Sequence, residues 1–250
     1  MSRRNFKAGA LTAPLPPVMV TVGDMENANV LTIGWTGILS TIPPRTYISV
    51  RPERHSYKML KATGEFVINL TTVSQARTVD YVGIFTGAKV DKFKECGLTK
   101  VESREVSPPT IAECPLALEC RVVEVIPMGT HDVFIADIVS VSCDEELLDE
   151  KGKIRFDKAG LLAYAHGEYF ALGEKVGSFG FSAKKKSAGK PRSENKSTTK
   201  PGTERKEGAA KVKRAPDTER KKSDDGPKPF YLDAPRGKGR KKPVGRSKKR

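Results

Sequence analysis

The 250-residue chain predicts a mainly β domain, a closed or split antiparallel barrel with a few short helices, followed by a basic tail. Three observations carry this. Short runs rich in Val, Ile, Phe and Thr recur between Gly, Pro and Asp, the pattern of strands rather than of long helices. The two longest runs are separated only by a few turn residues, as in a hairpin. Charge also divides sharply at about residue 182.

In chain order the β-type runs are 18–22, 30–39, 47–50, 66–70, 118–127, 133–141 and 169–172. Pro43-Pro44 breaks the chain between the second and third. The run 133–141 carries a single charge, Asp137, as expected of a strand covered on both faces. Met128-Gly129-Thr130-His131 is the turn that pairs it with the run before it. Two helices are expected. Residues 56–62 have Ser56 as N-cap, Tyr57 and Leu60 on one face and Gly64 as a stop, a complete set of end signals. Residues 74–83 place Val79 and Val82 on one face. Strands with helices inserted between them fit a barrel better than a doubly wound sheet. The folded part has no Gly-x-Gly-x-x-Gly or Gly-Lys-Ser/Thr loop, which argues against a Rossmann dehydrogenase or a nucleoside triphosphatase.

Residues 184–250 hold 25 Lys+Arg and 8 Asp+Glu of the chain's 45 and 30, a net of +17, and the 20 and 22 that remain give residues 1–182 a net of −2. The basic pI therefore belongs to the tail. With seven of the 17 prolines and one short apolar run, Phe230-Tyr231-Leu232, residues 183–250 lack the apolar surface that would offset the entropy of ordering them and are expected to be disordered. Residues 1–182 suffice for one domain. Cys96, Cys114, Cys120 and Cys143 form no Cys-x-x-Cys pair and have no histidines at ligand spacing, so reduced thiols and no metal site are expected. Gly9, Pro14, Pro16 and Pro17 interrupt the N-terminus, which leaves no apolar run suited to a signal peptide. No segment approaches the ~20 apolar residues of a membrane span, and a cytoplasmic location is expected.

The stretch from Asn29 to Tyr57 is the densest in residues that could hold a ligand. It contains the only tryptophan, Trp35, with Thr36 beside it, and ends in Arg51, Arg54 and His55 just before Ser56. A flat aromatic together with cations at a helix start suits a planar heterocycle carrying a phosphate. A basic turn with an ordinary serine cap accounts for the second feature equally well, and a lone Trp in a β-rich domain is more often a core anchor. Gly83 and Gly87 bound a loop that could approach a ligand closely. After it, Asp91-Lys92-Phe93 reads by itself as a solvated turn, and His131 as an exposed turn histidine.

Taken together, Asn29-x-x-Thr32-x-x-Trp35-Thr36, the basic turn before Ser56, Asp91-Lys92-Phe93 and Gly129-Thr130-His131 resemble the flavin reductase-like family of FMN-binding split barrels, and within it the flavoredoxins, over about residues 14–181. The resemblance implies a Greek-key split β-barrel, an FMN cofactor and a homodimer. It implies cofactor contacts at Asn29, Thr32, Trp35 and Thr36, at Arg51, Arg54, His55 and Ser56 around the phosphate, and at Lys92 and His131 near the flavin. Tyr164 stands where these proteins carry an aromatic. The flavin supplies the chemistry, so no side chain is expected as general acid or base. The implied activity is FMN-dependent oxidoreduction. The resemblance implies one of two roles: a carrier that keeps its FMN and exchanges electrons with a redox partner, or a reductase that uses NAD(P)H and treats FMN as a substrate. The tail, outside the resemblance, suits either attraction to a nucleic-acid backbone or a solubilising role.

Overall fold

The computed structural model describes residues 2–183. The tail expected at 183–250 lies, apart from Ala183, outside the described residues.

Strand β1 (Val18–Val22) pairs antiparallel with β2 (Asn29–Ile33), Val18 opposite Ile33 and Val22 opposite Asn29. The turn between them needs Gly23, whose φ is 93° and whose added Cβ would lie 2.2 Å from the Asn27 carbonyl oxygen. Strands β3 (Thr36–Thr41) and β4 (Pro44–Val50) follow, then helix α1 (His55–Thr63) and β5 (Glu65–Asn69). A one-turn 3-10 helix (Val73–Gln75) leads into α2 (Ala76–Ile84), and α3 (Lys92–Cys96) comes next. The short pair β6 (Lys100–Val101) and β7 (Thr110–Ile111) precedes the long hairpin of β8 (Leu116–Pro127) and β9 (Asp132–Cys143). A last hairpin joins β10 (Leu162–Ala165) and β11 (Glu168–Ala171).

The main sheet has seven strands in the order β2-β1-β5-β8-β9-β4-β3, every pair antiparallel. Its two edge strands, β2 and β3, are consecutive in the chain and separated only by Gly34 and Trp35. A sheet whose first and last strands are halves of one segment must curl on itself, which is how this Greek-key barrel closes. The expected single strand 30–39 is therefore corrected to two: the chain leaves one edge at Ile33 and enters the other at Thr36. Ser49 donates its amide to the Trp35 carbonyl at 3.0 Å across the kink.

Strand β1 shows why the fold holds together. All five of its residues are buried. Val18, Val20 and Val22 face the barrel interior with Ile48, Phe66 and Phe134, while Met19 faces outward onto Val79 and Val82 of α2 and Phe93 of α3. Alternate side chains of one strand thus build two cores. Each fully buried Val or Met contributes roughly 1.5–3 kcal/mol relative to exposure. The predicted face of α2, Val79 and Val82, is fully buried, and Gly64 ends α1 at φ 66° as expected.

Four expectations of local structure change. Strand β4 begins at Pro44, three residues before the expected 47–50, because the edge strand β3 pairs with it from Thr41 onward. The cap of α1 is Arg54, not Ser56, which lies one residue inside the helix. Gly83 belongs to α2 rather than to the loop after it. Asp91-Lys92 is a helix start, not a solvated turn: Asp91 caps α3 by accepting from the amides of Phe93 and Lys94 at 3.1 and 3.2 Å. Among the described residues no helix is long and apolar enough to cross a membrane.

Candidate functional site

The turn from Arg51 to Arg54 brings the chain off β4 and into α1, with the Arg54 amide on the Arg51 carbonyl at 3.0 Å. Among the described residues no side chain caps α1, so the N–H groups of His55 and Ser56 keep their positive partial charge at the wall of a cavity of about 290 Å³. Ser56, almost fully buried, accepts a hydrogen bond from Nδ2 of Asn29 at 2.6 Å. Asn29 opens β2, which sets that strand's first residue directly against the start of α1. On its other side is Gly87: a Cβ there would come within 2.3 Å of Oδ1 of Asn29. This close approach explains the glycine.

Lys92 lines the same cavity and is only 4% exposed. Its Nζ donates to the carbonyls of Val30 and Val82, both at 2.8 Å. An ammonium has three protons, and two are committed to the ends of β2 and α2. Burial, reinforced by the nearby Arg54 charge, holds its pKa down at about 8. Arg54 itself donates to the Gly83 carbonyl at 2.8 Å. Cations and helix amides therefore converge on a space where Glu53 is the one opposing carboxylate of the lining.

A second cavity, of about 330 Å³, shares Leu31, Arg51 and Arg54 with the first and continues it. Its walls are aromatic. Trp35 and His131 lie with ring centroids 4.4 Å apart, tilted at 44°. Trp35 is 43% exposed, which removes the core-anchor reading. Burial, with the charges of Arg51 and Arg54 adding to it and Glu53 opposing, pushes the His131 pKa below its usual value, so this ring is neutral at pH 7. Tyr164 on β10 lines the same cavity, fixed by reciprocal backbone bonds to Leu15, both 2.8 Å, and its ring meets that of Tyr169 at 5.4 Å. The Tyr169 hydroxyl donates to Oδ1 of Asp80 at 3.2 Å. Burial and the Asp80 charge raise its pKa to about 12.

Of the residues singled out in the sequence, Asn29, His55, Ser56 and Lys92 line the cationic cavity, and Thr32, Trp35, His131 and Tyr164 the aromatic one. Arg51 and Arg54 serve both. Lys92 stands at the cationic end rather than beside the aromatic rings. Thr36 lines neither cavity: its hydroxyl donates to the Tyr47 carbonyl at 2.6 Å, across β3 and β4. Thr32 also spends its hydroxyl on backbone, the Val79 carbonyl. No sequence pattern pointed to Asp80, Phe85 or Tyr169, which reach the site from α2, from the loop after it and from the last hairpin.

Residues 11–173 match the model of the flavin reductase like domain. An uncharacterised protein of Archaeoglobus fulgidus is 34% identical over 143 residues, 57% of this chain and 80% of the relative. Among solved structures, flavoredoxin of Desulfovibrio vulgaris superposes with a TM-score of 0.69 at 30% identity, covering 73% of this chain and all of that one. The FMN-binding protein from Thermus thermophilus with bound 1-cyclohex-2-enone does so with a TM-score of 0.60 at 27% identity, covering 71% and 97%.

Proposed function

Because the chain belongs to the flavin reductase-like family, we propose that it binds FMN in the joined cavities and acts as an oxidoreductase passing electrons through it. The observation that carries this reading is the unneutralised cationic end. The uncapped start of α1, Arg51, Arg54 and buried Lys92 supply what a dianionic phosphate needs, and among the described residues no carboxylate forms an ion pair with any of the three side chains. The spare proton of Lys92 and the amides of His55 and Ser56 would hold the phosphate, with the arginines closing the charge balance. The aromatic end would take the flat ring system, with Trp35 and the neutral His131 on one side and Tyr164 on another. When bound, the flavin supplies reversible hydride and electron acceptance. The chain's own part is to bind it, orient it and limit water at its edge.

The matched flavoredoxin and the FMN-binding protein support FMN over other flavins. Purified protein should quench FMN fluorescence on titration, and loaded protein should bleach with NADH or NADPH under anaerobic conditions if a pyridine nucleotide is the donor. Absence of FMN binding rejects the reading. Bleaching only by a protein reductant makes it a carrier.

We also propose a homodimer in the cytoplasm. Ile38, Leu39 and Ile42 on the β3–β4 hairpin are 64%, 50% and 79% exposed, a cost that a second copy would remove. Light scattering, with Ile42→Glu as the disrupting variant, tests this. For the tail, a net of +17 against −2 for the domain favours weak, salt-sensitive attachment to nucleic acid. Cutting after Ala183 should abolish retention on RNA and duplex DNA and leave flavin binding unchanged. Loss of the flavin on truncation would place the domain boundary elsewhere.

A further inference from the structure

The cationic cavity is lined by Arg51, Arg54 and Lys92 against a single carboxylate, Glu53, a net of +2 with histidine counted neutral. A phosphate held there carries close to two negative charges at pH 7 and brings that total to about zero. The aromatic cavity shares Arg51 and Arg54 with the first and adds one ionised group of its own, Asp80 of α2. Its hydrogen bond leaves that charge in place, because the donor to Oδ1, the Tyr169 hydroxyl at 3.2 Å, is uncharged. Among the described residues no cation forms an ion pair with Asp80, and its Oδ2 accepts no hydrogen bond. Arg54 reaches α2 one turn further on, at the Gly83 carbonyl. The rings of Trp35, His131, Tyr164 and Tyr169, which share the cavity with Asp80, offer no compensating charge.

With FMN in place the aromatic end is therefore left with one unbalanced charge, and it is negative. A unit charge a few ångströms away changes binding by about fivefold or more even when water screens it. We propose that Asp80 sorts the second reactant by charge: a planar molecule whose edge is cationic or donates hydrogen bonds is taken at the aromatic end, and one bearing a carboxylate or sulfonate is turned away. The inference rests on the flavin reading of the groove, since the phosphate is what neutralises Arg51 and Arg54. It applies to whichever molecule enters beside the flavin. An Asp80 that served only to hold the Tyr169 ring in place would make the same hydrogen bond but would impose no dependence on ligand charge.

Calorimetric titration of FMN-loaded protein with three redox-inert rings of one size tests this: benzamidine, a cation; benzamide, uncharged; and benzoate, an anion. Wild type should bind benzamidine at least about tenfold more tightly than benzoate, with benzamide between them. High salt should narrow the gap. In Asp80→Asn, which keeps an acceptor for the Tyr169 hydroxyl, the gap should fall below about threefold. In Tyr169→Phe, which keeps the carboxylate and loses the bond, the gap should persist. Asp80 is exposed on α2, so its variant remains informative if the tyrosine variant folds poorly. Equal affinity for benzamidine and benzoate in wild type, binding of none of the three, or a gap that Asp80→Asn leaves unchanged overturns the proposal and leaves the FMN reading intact. A gap lost in Tyr169→Phe makes Asp80 a support for that ring alone and likewise overturns it. Failure of FMN itself to bind overturns the flavin reading and this proposal with it.

Discussion

At the cationic end of the groove, behind the exposed Arg51, Arg54 and His55, lies a set of polar groups that are buried and already bonded; at the aromatic end the rings are partly exposed and steadied largely by one another. Asn29, Ser56 and Lys92 are each less than a tenth exposed and locked to one another or to backbone carbonyls. Trp35 and His131 lie against each other at the rim, and Tyr164 meets Tyr169. The two ends are therefore built for different work. Preorganised, buried groups bind charge without further ordering on ligand entry. A half-open aromatic end leaves a face through which a second reactant can come and go. Perturbing the first should therefore change affinity strongly, and perturbing the second should change it modestly.

The largest effect is expected from Gly87→Ala. The new Cβ overlaps the buried Asn29 amide, whose nearest atoms would lie at 2.3 to 2.8 Å, and must displace it from Ser56. FMN affinity should fall by more than about tenfold, with a stability cost of about 1–2 kcal/mol for the broken buried hydrogen bond. Titration and urea denaturation read the two separately. Unchanged affinity would mean that Asn29 is not part of the anion pocket.

Lys92 gives the next largest. Its pKa of about 8 lies below the ordinary 10.5, so between those values the folded state holds fewer protons than the unfolded one. Stability of the ligand-free domain must then rise with pH across this window, because the desolvation cost of the ammonium disappears, by up to about 3 kcal/mol. FMN affinity must fall across the same window, because the cation is lost. Urea midpoints and FMN titrations at pH 7.5 and 10 should thus move in opposite directions. Lys92→Met should flatten both trends and weaken FMN about tenfold at pH 7.5. A stability that falls with pH in wild type, or the same slopes in the variant, would assign the proton to another group.

At the aromatic end, Trp35→Ala should weaken FMN only a few-fold and restore part of its quenched fluorescence. Domain stability should shift by less than about 0.5 kcal/mol, as for a side chain outside the core. A loss as large as that of Gly87→Ala would erase the distinction between the ends. The smallest effect belongs to Thr36→Val. Loss of the bond to the Tyr47 carbonyl should cost about 1 kcal/mol of stability and leave FMN affinity unchanged. A change in affinity would return Thr36 to the site.

The strand-rich architecture, the long hairpin, the strand at 18–22, the helix over α2 and the concentration of cations before α1 were legible from the residues alone. These are local properties: alternation, turn residues and charge lie within a few positions of one another. Most of the site was legible for the same reason, since Arg51, Arg54, His55 and Ser56 are neighbours in the chain and Asn29, Trp35 and His131 stood in recognisable patterns. Where the barrel closes is set by long-range strand pairing. The break at Gly34-Trp35 depends on which strands flank β2 and β3, and an apolar run does not announce that it belongs to two edges. Tertiary structure likewise made Thr36 a cross-strand bond and Lys92 a buried ammonium, because a hydroxyl or an amine bonds to whatever the fold brings within 3 Å. Asp80, Phe85 and Tyr169 join the groove through contacts across tens of residues, and no local pattern encodes such contacts.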